Sequence, residues 1–155
     1  MRIYESPDAL QRYRRTAWEF QQTFQTPLSE LPRFVDVIMS ALPTFTSSLV
    51  AIDQIVFKPR YEAPRLCAKY SLPGNWYGDD LTIEAEGPME ARELLQALLS
   101  EWIDFLFVPI PERFLIYADH DEYITFLAHH RVELMAVVEA LIAAKSRAVE
   151  YVRTL

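Results

Sequence analysis

Between Gly87 and Pro109 the residues Ala91, Leu94, Leu95, Leu98, Trp102, Phe105 and Leu106 recur at steps close to three and four, a wide apolar stripe on one face of a helix. Gly87-Pro88 starts that helix, since proline is tolerated in a first turn, and Pro109 and Pro111 end it. Such a stripe must be buried against another element, and the preceding segments supply one. SLVAIDQIVFKP alternates or nearly so until Pro59 ends it. RLCAKYSL puts Leu66, Ala68, Tyr70 and Leu72 on one face, and DLTIEAE does the same with Leu81, Ile83 and Ala85. Short connections between these three segments predict an antiparallel meander. RFLIYAD, after the helix, adds a fourth strand. The expected sheet is four-stranded and mostly antiparallel, with the chain order β-β-β-α-β.

Two helices are expected before the sheet. Ser6-Pro7-Asp8 reads as a helix start, and Leu10, Tyr13, Ala17, Phe20 and Phe24 continue as an apolar face. Arg12, Arg14 and Arg15 fall largely off that face, as a solvated cluster would. A second helix starts near Ser29, accommodates Pro32 in its first turn and runs through Phe34, Ile38 and Leu42 to Pro43.

After the fourth strand, His120 to Arg153 contains neither glycine nor proline. One straight helix of that length would measure roughly 50 Å at about 1.5 Å per residue. A compact domain of this size is only about 30–40 Å across. The apolar stripe from Ile124 to Val152 has a gap at His129-His130-Arg131, where a bend is expected. The sequence thus predicts a single α+β domain over residues 1–155, with two N-terminal helices, the four-stranded sheet and a long bent C-terminal helix.

The net charge of −7 is unevenly distributed. Residues 1–75 hold nine Lys/Arg against seven Asp/Glu, and residues 76–155 hold six against fifteen. Twelve of those acids lie in 76–122, balanced only by Arg92 and Arg113. This field repels nucleic-acid phosphate and attracts cationic groups. No apolar run approaches the roughly 20 residues needed to span a bilayer, so no membrane is expected as a partner. The segment MRIYESPDALQRYRR lacks the apolar stretch of a secretory signal, and Cys67 is the one cysteine. Both features predict a cytoplasmic location.

Two stretches stand out as candidates for function. In YADHDEYITF the four ionisable residues Asp119, His120, Asp121 and Glu122 separate two apolar segments. The spacing from Asp119 to Glu122 fits a helix capping box with Asp in place of Ser or Thr, which leaves His120 and Asp121 without a structural task. In PGNWYGDD, Trp76 and Tyr77 occupy an inter-strand turn and are followed by Asp79 and Asp80. Aromatic anchors ringed by charge are the composition of a protein-binding surface.

Catalytic patterns are weak by comparison. His120 and His130 lie ten residues apart, too far to share one ion on a continuous helix, and His129 with Glu133 makes only two ligands. With three glycines, the chain has no phosphate loop, and it shows no H-E-x-x-H or G-x-S-x-G pattern. No cofactor or metal is therefore expected.

The reading that fits best is a small acidic cytosolic protein-binding module for a basic protein partner, of the kind found among immunity and inhibitor proteins that neutralise cationic toxins. Its partner-binding residues would be Trp76, Tyr77, Asp79, Asp80, His120, Asp121 and Glu122. The alternatives are a metal-dependent hydrolase centred on Asp119–Glu122 and a homodimeric scaffold joined through the broad apolar face of the C-terminal helix.

Overall fold

The computed structural model describes residues 1–6, 9–74, 76 and 81–152, with the backbone alone for residues 9 and 10. In chain order the elements are β1 (Arg2–Glu5), α1 (Ala9–Arg15), β2 (Phe20–Gln25), a short 3-10 turn (Leu28–Glu30), α2 (Leu31–Ala41), β3 (Ser47–Ile55) and α3 (Glu62–Tyr70). These are followed by β4 (Leu81–Glu86), α4 (Gly87–Ser100), β5 (Ile103–Ile110), β6 (Phe114–Ala118), β7 (Tyr123–Ala128), α5 (Arg131–Ala143) and β8 (Ala148–Val149). The fold is α+β, and among the described residues the strands form one eight-stranded sheet in the order β1-β4-β3-β5-β6-β7-β2-β8. Every neighbouring pair is antiparallel.

This architecture overturns the expected four-stranded sheet with two N-terminal helices and a long bent C-terminal helix. The first helix stops at Arg15, and Phe20 to Gln25 pair with β7 as a strand. The spacing of Phe20 and Phe24 fits a helix, but Thr23 and Phe24 are both buried because β2 is covered on both faces. RLCAKYSL is not a strand. Most of it belongs to α3, whose buried side is Ala63, Leu66 and Cys67, and Ser71 closes that helix in the left-handed region at φ 53°. The wide stripe of α4 ends at Ser100, and Trp102, at φ 57°, turns the chain into β5. The long C-terminal helix dissolves into a hairpin strand, β7, then α5, then β8, which pairs with β2. The gap at His129-His130-Arg131 marks a strand-to-helix junction rather than a bend.

Two apolar layers flank the sheet. On one face Val50, Ile83, Phe105, Phe107, Ile116 and Phe126 pack with residues of α2, α3, α4 and α5. The alternating residues Leu106, Val108, Leu115, Tyr117 and Leu127 face the other way and pack with Tyr13 of α1. This alternation follows the two-residue period of a strand, and β5 is buried on both sides because helices cover both faces there. The short α1 is tied down by polar contacts: Arg14 donates to Asp53 at 2.6 Å, and the other Asp53 oxygen accepts the Tyr117 hydroxyl at 2.8 Å. No helix among the described residues is long and apolar enough to cross a membrane.

Candidate functional site at the β6–β7 hairpin tip

The segment Asp119–Glu122 is a tight turn between β6 and β7, not the start of a helix. The Asp119 N–H donates to the Tyr123 carbonyl at 3.0 Å, closing the hairpin. Asp119 Oδ1 accepts the backbone N–H groups of Asp121 and Tyr123, each at 3.1 Å, so the carboxylate holds the turn from inside. Glu122 occupies the left-handed region at φ 68°. The expected capping box is thereby corrected: Asp119 does cap backbone donors, but those of a turn.

Both neighbouring strands brace the tip. On the β5 side, Asp104 Oδ1 accepts the His120 backbone N–H at 2.6 Å, and the carboxylate lies 2.9 and 3.0 Å from His120 Nδ1. On the β2 side, the Glu122 carbonyl accepts the Thr26 N–H at 2.8 Å and its carboxylate accepts from Gln25 Nε2 at 3.2 Å. The Asp104 side chain is 4% exposed and that of His120 29%. The hydrogen bond to Asp104 raises the His120 pKa above its ordinary value, with Asp104, Asp121 and Asp119 adding to the field and burial opposing it. Burial pushes Asp104 upward as well, against the pull of His120. The pair therefore favours the protonated imidazolium on a carboxylate that is itself reluctant to ionise.

Beyond this brace, the tip is open. The Asp121 side chain is 74% exposed, with Oδ1 3.8 Å from His120 Nε2. Glu122 borders a cleft of about 650 Å³ whose other walls are the Gln25–Glu30 segment, Arg33 of α2 and the turn after α5 with Lys145 and Arg147. On its other flank, Asp119 and Glu122 share a small depression with Leu28 and Trp102. Leu28 is 41% exposed and Trp102 is half-buried. An acidic, hydrogen-bonded turn beside an aromatic ring and an exposed leucine is the outcome.

The sequence-predicted site residues do not converge on one patch. His120, Asp121 and Glu122 stand together at the tip. Trp76 is 3% exposed and belongs to the main core, so its ring packs inward instead of offering an anchor. Tyr77, Asp79 and Asp80 lie outside the described residues. His129 stacks on Trp18 at 4.4 Å between ring centroids. It lies beyond the opposite end of β7 from His120, so the two do not meet. Among the described residues no three His, Cys, Asp or Glu side chains are grouped to hold a metal ion.

Sequence reasoning missed Asp104, Trp102 and Leu28. A signal for Asp104 was present: it is the one acid in the apolar run IDFLFVPI, and an acid in such a run needs a partner if it is buried. No family model, no curated protein and no solved structure matches this chain.

Proposed function

We propose that the protein is a binding module that engages a cationic group of a basic protein partner through the hairpin tip, with an immunity or inhibitor role as its most concrete form. The observation carrying this reading is the contrast at residues 119–122, where a turn pinned to two strands leaves the Asp121 carboxylate in solvent. A loop held in one conformation before binding loses little entropy on association. Its charge gives direction to the encounter, and the acid-rich segment 76–122 adds to the same field. Trp102 and Leu28 supply the apolar contact that charge alone lacks. A cytoplasmic location belongs to the same proposal.

The test is capture of a partner by the tagged protein, followed by affinity measurements for the Asp121→Asn, Glu122→Gln variant across a salt series. A weakened and less salt-sensitive complex supports the reading. Equal affinity and equal salt dependence would reject the tip as the binding surface.

A second reading is favoured by α5, where Val132 and Ile142 are 75% and 56% exposed while Leu134, Val137 and Leu141 are buried. Homodimerisation through this helix is the corresponding proposal. Sedimentation equilibrium at micromolar concentration, repeated with Val132→Glu and Ile142→Glu, decides it: monomer throughout rejects the dimer.

A further inference from the structure

Away from the hairpin tip, α3 and α4 leave between them a groove of about 450 Å³. Leu66 and Ala97, 8% and 4% exposed, form its apolar floor. Arg65 and Lys69 rise from α3, where a spacing of four puts them on one face, and Arg92 faces them from α4. A chain of net charge −7 here gathers three cations against the two acids Glu62 and Glu93.

Each cation has an acid partner, Lys69 in Glu93, Arg65 in Glu62 and Arg92 in Asp36 outside the groove, but guanidinium donors are left over. Glu93 accepts from Lys69 at 2.6 and 2.7 Å and from the Tyr70 hydroxyl at 2.9 Å, so it and Lys69 neutralise one another. Arg92 directs Nε at Asp36 and one Nη at Gln96, which leaves its other Nη unengaged among the described residues. Arg65 reaches Glu62 only at 3.8 Å, beyond hydrogen-bond length, and its side chain is 81% exposed. Among the described residues its guanidinium makes no hydrogen bond. Two guanidinium groups with unused donors therefore stand on opposite walls above an apolar floor.

We propose that this groove binds a small organic oxyanion, a carboxylate or a phosphate monoester. Its charged oxygens would lie between Arg65 and Arg92 and its apolar body on Leu66 and Ala97. The planar fork of a guanidinium matches both kinds of oxyanion, and the groove volume is in the range of small-molecule sites, roughly 300–1,000 Å³. This site is independent of the hairpin tip.

The test is an amide chemical-shift titration of the full chain with glutarate, with phenyl phosphate and with sodium chloride at matched ionic strength. Saturable shifts along Arg65–Lys69 and Arg92–Gln96 with glutarate or phenyl phosphate, absent with chloride, are expected, and the anion that saturates first identifies the source. Arg65→Gln should weaken that binding about tenfold, the weight of one charge-assisted hydrogen bond. Arg65→Lys, which keeps charge and loses the fork, should fall between. Arg33→Gln, on α2 and outside the groove, should change nothing. Shifts reproduced by chloride, shifts that never saturate with either organic anion, or an Arg65→Gln affinity equal to the parent would each overturn the proposal.

Discussion

The Glu101 carboxylate accepts the backbone N–H of Tyr61 at 2.6 Å, so a residue just past the end of α4 closes the amino end of α3. The same carboxylate accepts from Glu62 at 2.7 Å and from Arg60 at 2.9 Å. Tyr61, which stands at the N-cap position of α3, makes no side-chain cap of its own. A distant acid thus satisfies donors that a local Ser or Asp satisfies in most helices.

This relationship predicts a large effect for Glu101→Ala. Truncation leaves several N–H groups without their acceptor near a side chain that is 8% exposed, and should cost about 2–3 kcal/mol in urea denaturation. Burial pushes the Glu101 carboxyl up, but the N–H groups of Arg60, Tyr61, Glu62 and Ala63 pull it further down, to a net value below the ordinary one. A depressed carboxyl contributes stability that is present above its unfolded pKa and lost as pH falls through the folded one. The Glu101→Ala deficit should therefore shrink in strongly acidic solution. A deficit independent of pH would assign the stabilisation to packing.

The His120–Asp104 pair predicts the opposite pH trend. Both groups have raised pKa values, so the folded state holds protons that the unfolded state releases. The contribution of His120 is fully present below its unfolded pKa, near 6.5, and is lost as pH rises through the raised folded value. Urea denaturation should show this component declining from mildly acidic to mildly basic solution, and His120→Gln should remove it. Asp104→Asn should bring the imidazole pKa, followed by proton NMR, back toward its ordinary value. An unchanged His120 titration in that variant would show that the pair does not set the proton affinity.

Trp76 supplies a test of burial against display. Its ring is 3% exposed in the main core, so Trp76→Ala should cost about 3–5 kcal/mol of stability, the usual range for a buried large aromatic. Trp76→Phe should recover much of that. Thermal or urea unfolding measures both, and near-parental stability of the alanine variant would contradict the burial of this ring in the core.

How far the fold could be read beforehand depended on how local its causes are. β4 and the start of α4 were legible because Ile83 and Ala85 face the helix layer while Gly87, at φ 69°, and Pro88 mark the turn into the helix. α3 was misread because Leu66, Ala68, Tyr70 and Leu72 alternate while Ala63, Leu66, Cys67 and Tyr70 repeat with helical spacing. Two periods fit one segment, and the Glu101 cap that favours the helix is some forty residues away. β5 carries no alternation, since both of its faces are covered, so Phe105 and Leu106 extended the apparent stripe of α4. At the hairpin tip the local chemistry was legible but its context was not. An aspartate accepting N–H groups two to four residues ahead serves a helix start and a turn alike, and here Ile124, Thr125 and Phe126 continue as a strand. The Asp104 brace joins residues sixteen apart and follows only once β5 is known to be a strand.

The exposed tip residue separates binding from folding. Asp121 hydrogen-bonds within the turn through its backbone N–H, donating to Asp119, while its side chain stands 74% exposed and meets His120 only at 3.8 Å. Asp121→Asn keeps that N–H and nearly the same shape, so its stability in urea should stay within about 0.5 kcal/mol of the parent. Asp104→Ala should behave differently. It removes the acceptor of both the His120 N–H and the imidazole, and loosens the turn without touching the exposed carboxylate. If a preorganised charge does the work, Asp121→Asn weakens partner binding mainly by slowing association. Asp104→Ala weakens it by costing stability and conformational order. Surface-plasmon kinetics on the captured partner, paired with unfolding curves for the same two variants, measures both. Identical kinetic losses in the two variants would mean that the turn matters to the complex only through its fold.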